Sequence, residues 1–325
     1  MEESAILAVG LRKAFGSNAV LRGVDLQVPE GALVALLGPN GSGKTTTVRI
    51  LATLLPADGG RARVAGYDVA HEGAAVRERI GLAAQHATVD ELLTGRENLE
   101  LFAGLHHLGR RAARRRAGEL LERFGLTHAA GRRVATYSGG LRRRLDLAAS
   151  MVAAPLILFL DEPTTGLDPR SRFELWAAIR ELRAAGTTIL LTTQYLEEAD
   201  QLAERIVVIH DGRIVADDTP AALKQRVGSE RLVLTLGSSV DVARARALLG
   251  GADGGGSARG QEATRRASRL HLDPSARQVT LPIRHPDDLR RTLDGLHRAG
   301  ITVQGVDLRI PTLDDVFLAL TEAAA

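Results

Sequence analysis

Gly38-Pro39-Asn40-Gly41-Ser42-Gly43-Lys44-Thr45-Thr46 decides the fold of this 325-residue chain. An apolar run, Leu33 to Leu37, enters it, and Thr45 to Leu55 behind it reads as a helix ended by Pro56. Strand, glycine-rich loop and helix in that order are the context a P-loop requires. There, backbone N–H groups converge on a phosphate and the positive end of the helix faces the anion. Gly38, Gly41 and Gly43 allow close backbone approach; Asn40, Ser42 and Thr46 belong to the same nucleotide-binding loop. Lys44 is expected to neutralise β/γ-phosphate charge and Thr45 to ligate Mg²⁺. Lys44 is pointed in another way. The remaining Lys are only Lys13 and Lys224, against many Arg, and an Arg fork does not replace a compact ammonium in such a loop.

Working outward, the apolar run Leu156 to Leu160 ends on Asp161-Glu162. Open α/β sheets place ligands at the C-terminal ends of their strands. Alone, two carboxylates there are as readily a strand cap. Beside a P-loop, Asp161 is expected to hold Mg²⁺ through water and Glu162 to act as general base on the attacking water. Tyr137-Ser138-Gly139-Gly140-Leu141 lies just upstream, with Ser138 23 residues before Asp161. It opens a helix whose Leu141, Leu145, Ala148, Ala149 and Val152 share one face, so its amides form a second anion nest. Taken by itself, Ser-Gly-Gly is an ordinary loop. Arg142, Arg143 and Arg144 fit either a tuning of the phosphate field or a solvated helix face.

P-loop, Ser-Gly-Gly and strand-Asp-Glu, in this order, resemble the ATP-binding cassette ATPases. The resemblance implies ATP and Mg²⁺ as ligands, with Ser138, Gly139 and Gly140 completing the ATP site of a facing subunit. It makes Gln85, after the strand-like run Ile80 to Ala84, a glutamine-loop residue touching Mg²⁺ or water. It makes Asp168, in Thr165-Gly166-Leu167-Asp168, the key carboxylate of a loop crossing the dimer interface. Phe15 stands where an aromatic stacks on adenine, or is an ordinary core aromatic. Three departures occur. Tyr137 replaces the commoner Leu, Leu141 the commoner Gln, and Gln194, in Thr192-Thr193-Gln194-Tyr195-Leu196-Glu197-Glu198-Ala199-Asp200, the usual γ-phosphate-contacting His. Gln donates a hydrogen bond but carries no charge.

Gln194, Tyr137 and Pro311-Thr312-Leu313-Asp314-Asp315-Val316-Phe317 together are similar to the daunorubicin/doxorubicin-resistance type of exporter ATPase, a resemblance that covers essentially the whole chain and is firmest over 5–220. That implies a homodimer of this chain, a separate integral membrane permease and a peripheral place on the cytoplasmic face of the cell membrane. The exported compound is expected to be a hydrophobic drug or antibiotic. Leu92, Leu93 and Phe102, in the helical region after Gln85, are candidate permease contacts. The alternative is a soluble cassette ATPase acting on ribosomes or DNA. Chromosome-type members insert a long coiled coil, and only 53 positions separate Gln85 from Ser138. Translation-type members usually hold two cassettes, and one is present. A GTPase is disfavoured because no Asn-Lys-x-Asp motif occurs.

Composition agrees. With 45% hydrophobic and 25% charged residues the chain can bury a normal core. The 42 basic and 39 acidic residues leave a net charge of +3, so no nucleic-acid partner is expected. The run Arg110 to Arg116 has no interleaved aromatics and reads as a solvated helix face. His106-His107 has no third ligand in sight. There is no Cys, hence no disulfide framework. The fold class expected is α/β: a P-loop cassette domain at 1–225, with a mixed or parallel sheet core, an antiparallel β subdomain and a helical subdomain at about 86–150. A small C-terminal α+β domain follows at 226–325, in the order βαββαβα, with a flexible loop near 250–268. Short strands are expected at 6–9 and 24–28, and a type I′ hairpin at Asp211-Gly212.

Overall fold

The computed structural model describes residues 4–84, 88–227, 231–250, 271–273, 275, 277–283, 286–309 and 312–322. The chain divides into two compact units, 1–220 and 221–325.

In the first unit the order is β1 (Ser4–Phe15), β2 (Asn18–Pro29), β3 (Leu33–Leu37), α1 (Lys44–Leu51), β4 (Gly59–Val64), β5 (Tyr67–Asp68), α2 (Gly73–Arg77), β6 (Ile80–Ala83), α3 (Gly95–Leu105) and α4 (Arg110–Arg123). It continues with α5 (Gly139–Ser150), β7 (Ile157–Asp161), α6 (Pro169–Ala184), β8 (Thr188–Thr193), α7 (Leu196–Leu202), β9 (Arg205–His210) and β10 (Arg213–Asp218). Helix α8 (Pro220–Val227) starts at the division between the units.

The central sheet runs β10-β9-β3-β8-β7-β6. Strands β9, β3, β8, β7 and β6 are parallel, and β10 returns antiparallel on β9. Every residue of β3, β7 and β8 is buried, which explains their continuous apolar runs: both faces are covered. The β9–β10 turn has positive φ at Asp211 (46°) and Gly212 (73°), the two-residue type I′ geometry expected. A second, antiparallel sheet runs β2-β1-β4-β5. Its long strands alternate buried and exposed residues, as a sheet with one solvated face does. Leu11, Val24 and Val28 of that sheet share a core with Val34, Val48, Phe159 and Ile209.

Some expectations are corrected here. The strands at 6–9 and 24–28 are each twelve residues long. Their polar outward positions hid their length, and the pairing supplies what propensity does not. Helix α1 stops at Leu51, not Leu55, because Thr53 enters the left-handed region (φ 64°) and ends the turn ahead of Pro56. The helical subdomain expected at about 86–150 is, among its described residues, not helical throughout. Within it α3 is started by a capping box, Thr94 with Glu97, and α4 follows as a separate helix.

In the second unit β11 (Arg231–Leu236), α9 (Ser239–Gly250), β12 (His271–Asp273), β13 (Gln278–Pro282), α10 (Pro286–Arg298), β14 (Val303–Arg309) and α11 (Leu313–Glu322) follow the order βαββαβα. The sheet is antiparallel, β12-β13-β11-β14. Leu232, Leu234 and Leu236 of β11 pack on Val242 and Ala245 of α9 and Leu296 of α10. Apart from Gly250, the loop expected near 250–268 lies outside the described residues.

Candidate functional site

The glycine-rich loop joins β3 to α1 at the C-terminal edge of the central sheet. Its glycines are required by space and by backbone. A Cβ on Gly38 would stand 2.3 Å from the Ile209 carbonyl oxygen and 2.7 Å from Ser42 Oγ. Gly41 and Gly43 have φ of 82° and 108°, where only glycine is unstrained. Asn40 and Thr46 lie in the same loop and first helical turn.

Lys44 is 4% exposed and bends back over the loop. Its ammonium donates to Gly38 O at 2.9 Å and Pro39 O at 3.1 Å, and lies 3.2 Å from Glu162 Oε1. Thr45 Oγ1 donates to Asp161 Oδ1 at 3.1 Å, and Thr192 Oγ1 reaches the same oxygen at 2.5 Å. Glu162 is buried at the end of β7 with φ 48°. Its N–H donates to Thr192 O and Oγ1, each at 3.1 Å, and Thr165 Oγ1 donates to its Oε2 at 3.4 Å. P-loop lysine, acidic strand end and the end of β8 therefore meet at one point.

The residues fit a phosphate and Mg²⁺. Ser42 Oγ is buried with no hydrogen-bond partner among the described residues, inside a loop whose glycines let a ligand approach the backbone closely. Thr45 and Asp161 offer adjacent hard oxygens, the donor type Mg²⁺ takes. Among the described residues no group of three or more His, Asp or Glu side chains could hold a metal unaided. This donor set suits an ion shared with substrate phosphates.

Ser138 is the N-cap of α5 and accepts from Leu141 N at 3.3 Å. Gly139 begins the helix, and a Cβ on Gly140 would meet Ser171 Oγ at 2.3 Å. Ser171 also donates to Asp168, from N at 3.0 Å and from Oγ at 2.6 Å. Asp168 thus caps α6, and those bonds hold its carboxyl below the usual range. The nest and the Asp168 loop are neighbours through Ser171. Tyr137 is an anchor: its hydroxyl is buried and donates to Ala129 O at 2.7 Å, in space left free by Gly95.

Phe15 ends β1 and is 52% exposed, with Lys13 Nζ 5.7 Å from its ring centroid. It is not a core aromatic. Gln194 follows β8 directly and is half-buried. Gln85 lies outside the described residues.

Of the arginine trio, the solvated-face reading fails at Arg143. Arg142 pairs with Glu91 at 2.8 Å and Arg144 with Glu174 at 3.3 Å. Arg143 is buried, contrary to a solvated face, and donates to four main-chain carbonyls. No sequence signal marks an arginine whose partners are carbonyls. Beside it, burial pushes the Asp146 carboxyl up, against opposing hydrogen bonds from Thr88. Arg116 likewise leaves the solvated face of α4 to donate to Met151 O and Val152 O.

Fold and site together define an ATP-binding cassette ATPase. Residues 21–165 match the ABC transporter family. The chain is 53% identical over 322 residues to a daunorubicin resistance ATP-binding protein of Streptomyces coeruleorubidus, covering 99% of this chain and 96% of that one. It is 48% identical to the daunorubicin/doxorubicin resistance ATP-binding protein of Streptomyces peucetius, over 98% of this chain and 92% of the other. Among solved structures it is similar to an ATP-binding subunit of an ABC transporter (TM-score 0.62, 28% identity, 69% of this chain and 93% of that one). A dimeric cassette in a post-hydrolysis state with ADP and phosphate is similar at TM-score 0.61 and 26% identity, over 66% of this chain and 98% of that one. The chain belongs to the daunorubicin/doxorubicin-resistance family of ABC transporter ATP-binding proteins. It is an ATPase whose hydrolysis is coupled to transport.

Proposed function

We propose that this chain binds MgATP at the P-loop, pairs head-to-tail with a second copy and drives a separate membrane permease from the cytoplasmic face. The exported compound is a hydrophobic drug or antibiotic, a reading supported by relatives named for daunorubicin and doxorubicin resistance. Lys44 and the loop amides would hold the phosphates, and Thr45 and Asp161 would hold Mg²⁺; the role of Gln85 toward that ion rests on the family resemblance alone. The ion supplies charge neutralisation at the phosphates when bound. Phe15 stacks on adenine, and Gln194 donates to the γ-phosphate. Ser138, Gly139, Gly140 and Asp168 serve the facing subunit's nucleotide. Glu162 takes the proton of the attacking water.

One observation carries this reading: Lys44, Asp161, Glu162 and Thr192 converge beside the glycine loop. Removing a general base typically costs about 10²–10⁴-fold, so Glu162→Gln should lose turnover by that factor and keep ATP binding. Steady-state hydrolysis and nucleotide titration of both proteins test it. Turnover near wild type in the variant refutes the role of Glu162.

A further inference from the structure

Arg143 sits one turn into α5, 8% exposed. Its Nε donates to Pro163 O at 2.6 Å, and its Nη2 to Asp161 O and Glu162 O at 3.2 Å each. Its Nη1 donates to Ala84 O at 2.6 Å and to Asp146 Oδ2 at 3.3 Å. Asp146 in turn accepts at Oδ1 from Thr88 N at 2.8 Å and Thr88 Oγ1 at 2.7 Å. One guanidinium thus gathers three consecutive carbonyls of the turn after β7, the residue after β6, and its own helix. A buried cation persists only with a counter-charge and its donors used, and both conditions hold.

A second observation points to the same turn. Glu162 has φ 48°, a left-handed conformation unfavourable for a residue with a Cβ. Such strain survives only where the surroundings over-determine the backbone. Thr192 holds the Glu162 N–H, and Arg143 holds its carbonyl and those on either side.

We infer that Arg143 is a positioning residue for hydrolysis: it locks the strained Asp161-Glu162-Pro163 turn so that the Glu162 carboxylate is pre-aimed. It need not touch the nucleotide. Asp146 fixes the guanidinium that does this. The same helix begins with the Ser138–Gly140 nest, so one element carries both. The inference rests on the reading of Glu162 as base.

The test uses the full chain with Arg143→Lys, Arg143→Gln, Glu162→Gln and the double variant Glu162→Gln/Arg143→Lys. ATP affinity, melting temperature and single-turnover hydrolysis are read for each. Misplacement of a catalytic group by about 1 Å can cost roughly 100-fold. Turnover should therefore fall roughly 10- to 100-fold, in the order Arg, Lys, Gln, with ATP affinity little changed. A compact ammonium cannot span all these carbonyls, which is why Lys rescues only in part. In the Glu162→Gln background the Lys change should add no further loss, as expected for residues acting as a unit. A merely structural role would weaken ATP binding together with turnover, and would add its full loss on top of Glu162→Gln; either result overturns the inference. Should Arg143→Gln fail to fold, the Lys variant carries the test alone. Wild-type turnover in Arg143→Lys with an inactive Glu162→Gln overturns this inference only. Wild-type turnover in Glu162→Gln overturns the site reading and this inference with it.

Discussion

Gln194 stands directly after Thr193 at the C-terminal end of β8, one strand from the Glu162 turn. An amide there can donate to a phosphate without titrating. A hydrogen bond to a charged group is worth about 1.5–3 kcal/mol, so Gln194→Ala should slow hydrolysis roughly 10- to 150-fold. Gln194→His should keep activity and gain a pH dependence near the imidazole pKa of about 6.5. Rates of the three proteins across about pH 6–8 decide the point; an alanine variant as fast as wild type removes Gln194 from the working site. At this scale the sequence was most legible where a residue type is demanded by chemistry. Gly38 and Gly43 could be named because no Cβ fits, and Lys44 because only an ammonium suits the loop. Arg143 could not, since main-chain carbonyls leave no mark on the residues that own them. The ion pair of Lys44 with Glu162 joins motifs 118 positions apart, a closeness only the sheet order creates.

Among the elements, the buried parallel strands were plain in the sequence because burial on both faces makes them continuously apolar. The short pieces β4, β5 and α2 were not. They are two to six residues long, too short for a pattern to show; β4 is fixed by pairing with β1 and β5 by pairing with β4. Helix α3 and the turn before it present an apolar surface: Leu92 is 76%, Leu101 46% and Leu105 66% exposed. Phe102 and Leu93 are only half-exposed, so Leu92 is the stronger candidate contact. In the proposed assembly this surface meets the permease. Leu92→Glu should leave the isolated chain's hydrolysis unchanged and abolish co-purification of the permease from native membranes. Undiminished co-purification moves the docking site elsewhere.

For the whole molecule, no described helix is long and apolar enough to cross a membrane, and the proposal gives the membrane path to the permease. The chain's own contribution is then a change in pairing. ATP between two copies would favour the closed dimer by the contacts its γ-phosphate makes, and hydrolysis would remove them. Nest and Asp168 loop lie side by side through Ser171, as such a shared interface needs. The second unit, built on its own core, is assigned no nucleotide contact. The most direct measurement is the mass of purified Glu162→Gln by light scattering, with and without MgATP. The account predicts a monomer without nucleotide and twice the monomer mass with MgATP, reverting when the Mg²⁺ is chelated. A monomer under both conditions, in a variant that binds ATP, would contradict it.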